Sequence, residues 1–526
     1  MPVPQVQSIR FDLGSLAINR AEVRMDPSLE GAREGVLAML VFGETDAVSG
    51  GAVARFRHNA AFAPERYMLS VGAGGVSVEA GGAEAAVHAA ATIAQLIAEH
   101  GGVLPFCLVE DEPRFGWRGL LIDVCRHFFP ISTLHRLVDL MAYYKYNRLH
   151  LHLSEDQGFR FESERFPLLN SVGSWRANTQ EKHDGKTEQD GIRHGGYYTK
   201  AELRDLVAYA KARGIEVVPE LDMPGHALAI LAAYPALSCF HEPAEVATRF
   251  GVTDFSKTLF CAGGEETYTF LFSLLDELME IFPFPWMHIG GDEAVKDDWK
   301  RCDKCQSLRR AQGLKNEREL QGYFLNRVIA HLEQRGRRAI VWNDGLCQTL
   351  TKRAVAQYWT PFFIEGRGRT ARHIRAGGQA IMSAYFHTYD DLPYATVPLK
   401  AAYEYEPVFD NLTREQEENV LGVEAALWTE WIDTEEKLFF NLLPRLAATA
   451  EAGWVKRKEP YRAFLKRLPP HYSLYERLGL TYARHAEQPQ SLWKRIAGTI
   501  TFLSKETHAE LNAQRREANC EKGSGK

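Results

Sequence analysis

Between Arg118 and about residue 460 the chain repeats one pattern: a short apolar strand, a loop, then a helical or long intervening stretch. The strands fall at Gly119–Val124, Arg148–Leu153, Ile215–Leu221, Trp286–Gly290, Ala339–Trp342, Val355–Trp359, Ala380–Ser383 and Gly422–Trp428. Apolar strands separated by helices belong to a parallel sheet with a covered outer face. Eight of them over about 350 residues predict an α/β fold built on a (β/α)8 TIM barrel. One helix, Lys200–Arg213, is fully punctuated. Thr199 and Glu202 form a capping box, Gly214 closes the end, and Leu203, Leu206, Val207 and Ala210 make one apolar stripe. A second helix is expected at Leu134–Tyr146, capped by Ser132 or Thr133.

The flanks differ from this repeat. Residues 1–112 read as a small α+β domain. Tyr67–Val71 and Val76–Glu79 alternate around a glycine turn as a hairpin does. Ala83–Glu99 follows as an alanine-rich helix with Val87, Ala90, Ala91, Ala94 and Ile97 on one face, ended by Gly101-Gly102. Pro105 to Pro113 reads as a linker, and the barrel domain then takes residues 113–460. Residues 461–526 form a C-terminal helical segment and tail, with helices at Tyr461–Leu480 and Leu492–Arg516.

A net charge of −6 argues against nucleic acid or an anionic membrane as partner, and no apolar run reaches the length of a membrane span. The N-terminus lacks a signal-peptide pattern, so the chain reads as cytoplasmic unless a leader has been removed. Cys302-Asp-Lys-Cys305 has the spacing of half a zinc site. No second pair or histidine follows at structural-zinc spacing, so it is read as non-metal, and neither metal nor cofactor is expected. Cys239 and Cys261 flank a long loop and are read as free thiols, a disulfide being open to them in an exported protein.

In a parallel barrel, residues just past the strand ends face a common rim. They are Asp123 and Arg126, Glu155 and Asp156, Asp222 and His226, Asp292 and Glu293, Trp342 and Asp344, Trp359, Tyr389 and Asp391, and Trp428 and Glu430. Acids, one arginine and several tryptophans suit a neutral, polyhydroxylated ligand. Carboxylates accept from hydroxyls, guanidinium donates to them, and indole faces cover C–H surfaces. The sharpest element is His288-Ile-Gly-Gly-Asp-Glu293. Adjacent strand residues point to opposite faces, so Asp292 and Glu293 share a site only if the strand ends there, which Gly290 and Gly291 permit. Neighbouring carboxyls suit one group that stays charged and one that carries a proton.

Five separated stretches carry a resemblance: Arg118–Pro130, Leu149–Gly158, Val218-Pro-Glu-Leu-Asp-Met-Pro-Gly-His226, His288–Glu293 and Leu427-Trp-Thr-Glu430. Together they resemble the β-N-acetylhexosaminidases of glycoside hydrolase family 20. The resemblance implies a retaining exo-glycosidase whose substrate supplies the nucleophile, an exception to the two-carboxylate scheme. It implies Glu293 as general acid and base, Asp292 as the group orienting the 2-acetamido substituent, and Tyr389 as donor to the acetamido oxygen. Trp342, Trp359 and Trp428 would wall the pocket, and Arg126, Asp391 and Glu430 would bind hydroxyls. Glu155 stands where the family usually has aspartate, and would pair with His226. The implied substrate is an oligosaccharide with a terminal β-linked N-acetylhexosamine. Two rivals remain. His150-Leu-His152 on a barrel strand admits a metal-dependent amidohydrolase, although both histidines precede the rim. A sugar-binding module without catalysis would be expected to lack Glu293 or Asp292, and both are present.

Overall fold

The computed structural model describes residues 1–17, 22–42, 53–180, 189–250, 258–360, 366–484, 488 and 491–506. Eight parallel strands close a barrel: β1 (Trp117–Asp123), β2 (Arg148–His152), β3 (Glu216–Glu220), β4 (Trp286–His288), β5 (Arg338–Trp342), β6 (Val355–Tyr358), β7 (Ala380–Met382) and β8 (Val420–Leu427). Each pairs with its sequence neighbours, and β8 pairs with β1 to complete the ring. All eight strands lie within two residues of the bounds predicted from the apolar runs. The strands are buried nearly throughout, which is why their sequences are continuously apolar and not alternating.

The helix Lys200–Ala212 carries the expected capping box, with both Thr199–Glu202 hydrogen bonds present. The helix before β2 differs from expectation. It runs Ile131–Tyr143 and begins at Pro130, three residues before the predicted start, so neither Ser132 nor Thr133 is its cap. Proline fixes a φ suited to the helix entrance and forgoes a hydrogen bond that a first turn lacks anyway.

The α+β unit ahead of the barrel is a six-stranded sheet with helix Ala83–Glu99 packed against it, while helix Arg33–Phe42 packs on Ala83–Glu99 and on the barrel helices Ile131–Tyr143 and Lys200–Ala212. Its hairpin, Tyr67–Gly72 with Gly75–Ala80, lies where the alternation placed it. The expected linker is instead a strand. Val103–Asp111 pairs with both Ser8–Ala17 and Tyr67–Gly72, and its buried Leu104, Cys107, Val109 and Asp111 face inward. Pro105 obscures this pattern, but it lies beside a register shift in the Ser8–Ala17 partner strand. The helix Ala83–Glu99 is also more enclosed than one apolar face would make it: Ala85 through Ile97 are all buried. It is packed between the sheet and the barrel helix Ile131–Tyr143, and Gln95 Nε2 donates across to Tyr143 O at 2.9 Å. Beside it Lys145 Nζ meets Asp111 Oδ2 at 2.8 Å with neither side chain exposed, while Tyr67 and Trp454 also donate to Asp111.

After the barrel, Tyr461–Arg467 and Pro469–Arg477 replace the single helix expected over Tyr461–Leu480, the break falling at the Pro469-Pro470 pair. Leu492–Glu506 is helical, and the remainder of the second expected helix and the tail lie outside the described residues. No helix among the described residues is long and apolar enough to cross a membrane.

Candidate active site

The site is assembled at the C-terminal end of the barrel. β4 stops at His288, and the chain then turns through Gly290 (φ +66°) and Gly291 (φ +108°). A side chain at Gly290 is impossible, because its Cβ would lie 1.5 Å from Asp222 Oδ1. Asp222, just past β3, is tucked beneath this turn, and the Gly291 N–H donates to it at 3.3 Å. The break turns both adjacent acids to one side. Asp292 Oδ2 lies 3.7 Å and Glu293 Oε2 3.6 Å from the same atom, His226 Nε2. His226 and Glu293 both hold left-handed backbone angles, φ +51° and +42°. Such angles strain non-glycine residues and persist where the surroundings enforce them.

Behind His226 runs a chain of ion pairs. Its Nδ1 lies 2.7 Å from Glu155 Oε1, and the other oxygen of Glu155 lies 3.0 Å from an Arg126 nitrogen and 3.1 Å from His152 Nε2. Glutamate at position 155 therefore reaches both the histidine and the arginine. Arg126 continues to Asp123 at 3.4 Å and Glu430 at 3.8 Å, with its guanidinium 5.1 Å from the centre of the Trp428 ring. Asp123 is a structural anchor, accepting from the backbone N–H groups of Cys125, Arg126 and Thr429.

The opposite wall is aromatic. Trp342, Trp359, Trp428 and Tyr389 belong to one cluster together with Tyr385, which the sequence did not single out. Trp359 stacks on Tyr389 at 6.3 Å between centroids, and Trp342 lies 5.9 Å from Trp428. Tyr389 is buried and takes a hydrogen bond from Trp428, and burial holds its hydroxyl protonated well above the usual range. Asp391 and Glu430 are both raised, first by burial, then, for Asp391, by the charge of Glu430. The Asp292 carboxyl is pushed up to about 6, chiefly by burial and against the pull of His226, with Glu293, Glu220 and Glu155 adding to the rise.

Several buried polar atoms here have no hydrogen-bond partner among the described residues: Asp292 Oδ1, Asp391 Oδ1, Trp359 Nε1 and Arg126 Nε. They come from four different rim segments. Buried groups left so are costly, and a polar ligand with several donors and acceptors would satisfy them.

Beneath this pocket lies a second polar layer that sequence reasoning missed. Glu220, inside β3, accepts from Trp342 Nε1 at 2.9 Å, lies 2.6 Å from His288 Nδ1 and meets His152, with His150 3.3 Å away. Glu424, inside β8, meets His150 at 2.8 Å and accepts from Gln357 and Trp117. A glutamate set in each of two apolar strands was the available signal. His150 and His152 thus meet carboxylates below the rim. Cys302 and Cys305, which have no second pair at zinc spacing in the sequence, are joined in space by Cys239 and Cys261, and none of the four is in a disulfide.

Two family models cover nearly the whole of the chain up to residue 457: "Glycosyl hydrolase family 20, catalytic domain" over residues 115–457 and "Glycosyl hydrolase family 20, domain 2" over residues 3–112. The chain belongs to glycosyl hydrolase family 20. Among its relatives in that family, a β-hexosaminidase of Porphyromonas gingivalis is 36% identical over 85% of this chain and 57% of its own length. A β-hexosaminidase of Akkermansia muciniphila is also 36% identical, over 74% of this chain and 79% of its own. The chain thus spans little more than half of the first relative. Among solved structures, the family 20 exo-β-N-acetylglucosaminidase of Vibrio harveyi, in complex with N-acetylglucosamine, superposes with a TM-score of 0.81 at 28% identity, covering 92% of this chain and 78% of that one.

Proposed function

We propose that this family 20 chain is a retaining exo-β-N-acetylhexosaminidase, acting on oligosaccharides with a terminal non-reducing N-acetylhexosamine through an oxazolinium intermediate. The observation that carries the reading is the glycine break after β4, which presents Asp292 and Glu293 side by side to one histidine. In the proposed first step the acetamido oxygen attacks the anomeric carbon while Glu293 gives its proton to the departing glycosidic oxygen. Asp292, ionised above about pH 6, opposes the positive charge that develops on the acetamido nitrogen. The Tyr389 hydroxyl holds the acetamido oxygen, and Trp342, Trp359 and Trp428 enclose the methyl group and sugar face. In the second step Glu293 takes a proton from water as that water opens the oxazolinium ring at the same carbon. Arg126, Asp391 and Glu430 bind the remaining hydroxyls, while Glu155 fixes His226 behind the acids.

The relatives' names support the sugar class, and the unpartnered atoms around the pocket fit a polyhydroxylated ligand. Chromogenic β-N-acetylglucosaminides and β-N-acetylgalactosaminides assayed beside the plain β-glucoside test the reading. The expected result is efficient turnover of the acetamido sugars only, with competitive inhibition by a thiazoline mimic of the intermediate. Comparable rates on the plain glucoside, or a glycosyl group trapped on a carboxylate, would overturn it.

A further inference from the structure

Four cysteines from three segments converge beside the active rim. Cys239 follows the short turn Pro235–Leu237, Cys261 follows Phe260 in the same long loop, and Cys302 and Cys305 open the helix Asp303–Ala311. Their sulfurs lie 3.8 Å apart for Cys239–Cys305, 3.9 Å for Cys261–Cys302 and 3.7 Å for Cys261–Cys305, and all four lie within 4.8 Å of one another. A disulfide would need about 2.05 Å. Four thiolates at about 2.3 Å around a tetrahedral ion lie about 3.8 Å from each other, the spacing of the Cys239–Cys305, Cys261–Cys302 and Cys261–Cys305 pairs.

The surroundings are also those of a thiolate centre. Cys261, Cys302 and Cys305 are buried and Cys239 half-buried, which excludes competing water. Cys302 caps the helix Asp303–Ala311 and Cys305 sits in its first turn, where the positive end of the helix dipole favours anionic sulfur. The Gly263 N–H donates to the Cys261 sulfur. A side chain at Gly263 would strike the Lys304 carbonyl carbon at 2.3 Å and the Cys305 nitrogen at 2.5 Å. Glycine is thus required to bring the Cys261 turn onto the Cys302–Cys305 helix.

We propose that Cys239, Cys261, Cys302 and Cys305 bind one structural zinc ion. Binding displaces four thiol protons and forms four Zn–S bonds, with no change in oxidation state and no open position for substrate. The ion joins the loop that follows His226 to the segment that follows Glu293. Backbone bonds already hold the loop together, from Phe260 N to Pro224 O at 3.0 Å and from Cys261 N to Leu237 O at 2.8 Å, and the Trp299 indole crosses the seam to donate to Phe260 O at 2.8 Å. Cys302 lies only a few residues beyond Glu293, so the cluster braces the rim that holds the paired acids.

The test is elemental analysis of the full chain purified without a metal-binding tag under reducing conditions. About one zinc per chain is expected. Cys302→Ser with Cys305→Ser should abolish it, whereas Cys347→Ser, outside the cluster, should keep it. Cobalt exchanged into the site should give the strong visible absorption of a tetrahedral cobalt–thiolate centre, a readout independent of activity and of whether the sugar chemistry proposed above is right. Chelation should free four thiols to an aromatic disulfide reagent and lower the melting midpoint by several degrees. Wild-type protein that holds no stoichiometric metal and takes up none when titrated with zinc would overturn the proposal. So would two disulfides by mass, or iron at the same stoichiometry.

Discussion

Two polar layers lie within the same barrel, one above the other, and they are built to opposite rules. In the lower layer Glu220 and Glu424 are surrounded by His150, His152, His288, Trp117, Trp342 and Gln357, and both carboxylates are engaged on every side. In the upper layer Asp292, Asp391, Trp359 and Arg126 each carry a buried atom without a partner. Both layers contain buried charge, so burial alone does not separate scaffold from chemistry. What separates them is their carboxylates. Every oxygen of Glu220 and Glu424 has a protein partner, although His150 Nε2, His288 Nε2 and Gln357 Oε1 beside them have no hydrogen bond among the described residues, whereas Asp292 Oδ1 and Asp391 Oδ1 have none. A buried carboxylate satisfied by the protein specifies structure, whereas one left open in the pocket is matched to something that arrives later.

If the comparison holds, substitutions above should slow catalysis and leave folding intact, and substitutions below should do the reverse. The largest effect is expected at Glu293. Glu293→Gln should cut turnover of unactivated oligosaccharides by about 10²–10⁴. The loss should be smallest with very acidic leaving groups, and the thermal midpoint should be unchanged. Steady-state kinetics with a leaving-group series checks it, and near-wild-type rates would break the assignment. Asp292→Asn follows, with a loss of about 10²–10³ that persists for good leaving groups, because its charge acts on the acetamido nitrogen. Azide separates the two. It should speed opening of the intermediate in the Glu293 variant and do nothing for the first step of the Asp292 variant.

Below the pocket, Glu220→Gln should cost about 3 kcal/mol or more of stability, since three histidines and an indole lose their shared anion. Denaturant unfolding measures this, and a stability equal to wild type would mean the lower layer is not the scaffold described. A smaller effect is expected from pH. Asp292 is raised to about 6, so its useful ionised form is lost as pH falls through that value. The acid limb of kcat/KM should drop about tenfold per pH unit below it. His226, Glu293 and Asp222 face the same carboxyl, so the limb should move in Asp292→Asn and persist in a Tyr389→Phe control. Smallest is Trp359→Phe, which keeps the aromatic wall but removes an unpartnered N–H. KM should rise about fivefold, near 1 kcal/mol, with kcat little changed.

Periodicity made the barrel legible, because eight buried parallel strands read as eight apolar runs. The rim could be listed because the fold places strand ends together, and Gly290-Gly291 marked a turn where the adjacent acids Asp292 and Glu293 share a side. Other features were not legible for particular reasons. Pro105 and a run of acids disguised Val103–Asp111, whose pairing is set by strands far away in sequence. Pro130 started a helix that hydroxyl side chains seemed better placed to cap. Glu220 and Glu424 passed unnoticed because their partners come from other strands. The cysteine cluster was hidden for a similar reason: only two of its members are close in sequence, and spacing rules see pairs before they see convergence.

The Asp111–Lys145 contact has a consequence for how this chain could be divided. A boundary near residue 112 suggests two parts that could be exchanged or expressed separately. Yet severing the chain there would leave the buried Lys145 ammonium without its counterion, and would uncover one flank of the Ala83–Glu99 helix. The boundary is thus a seam in inheritance but not in cooperativity. Calorimetry should show the two parts melting in a single transition, and a barrel started at residue 113 should be recovered as aggregate and not as a trimmed enzyme.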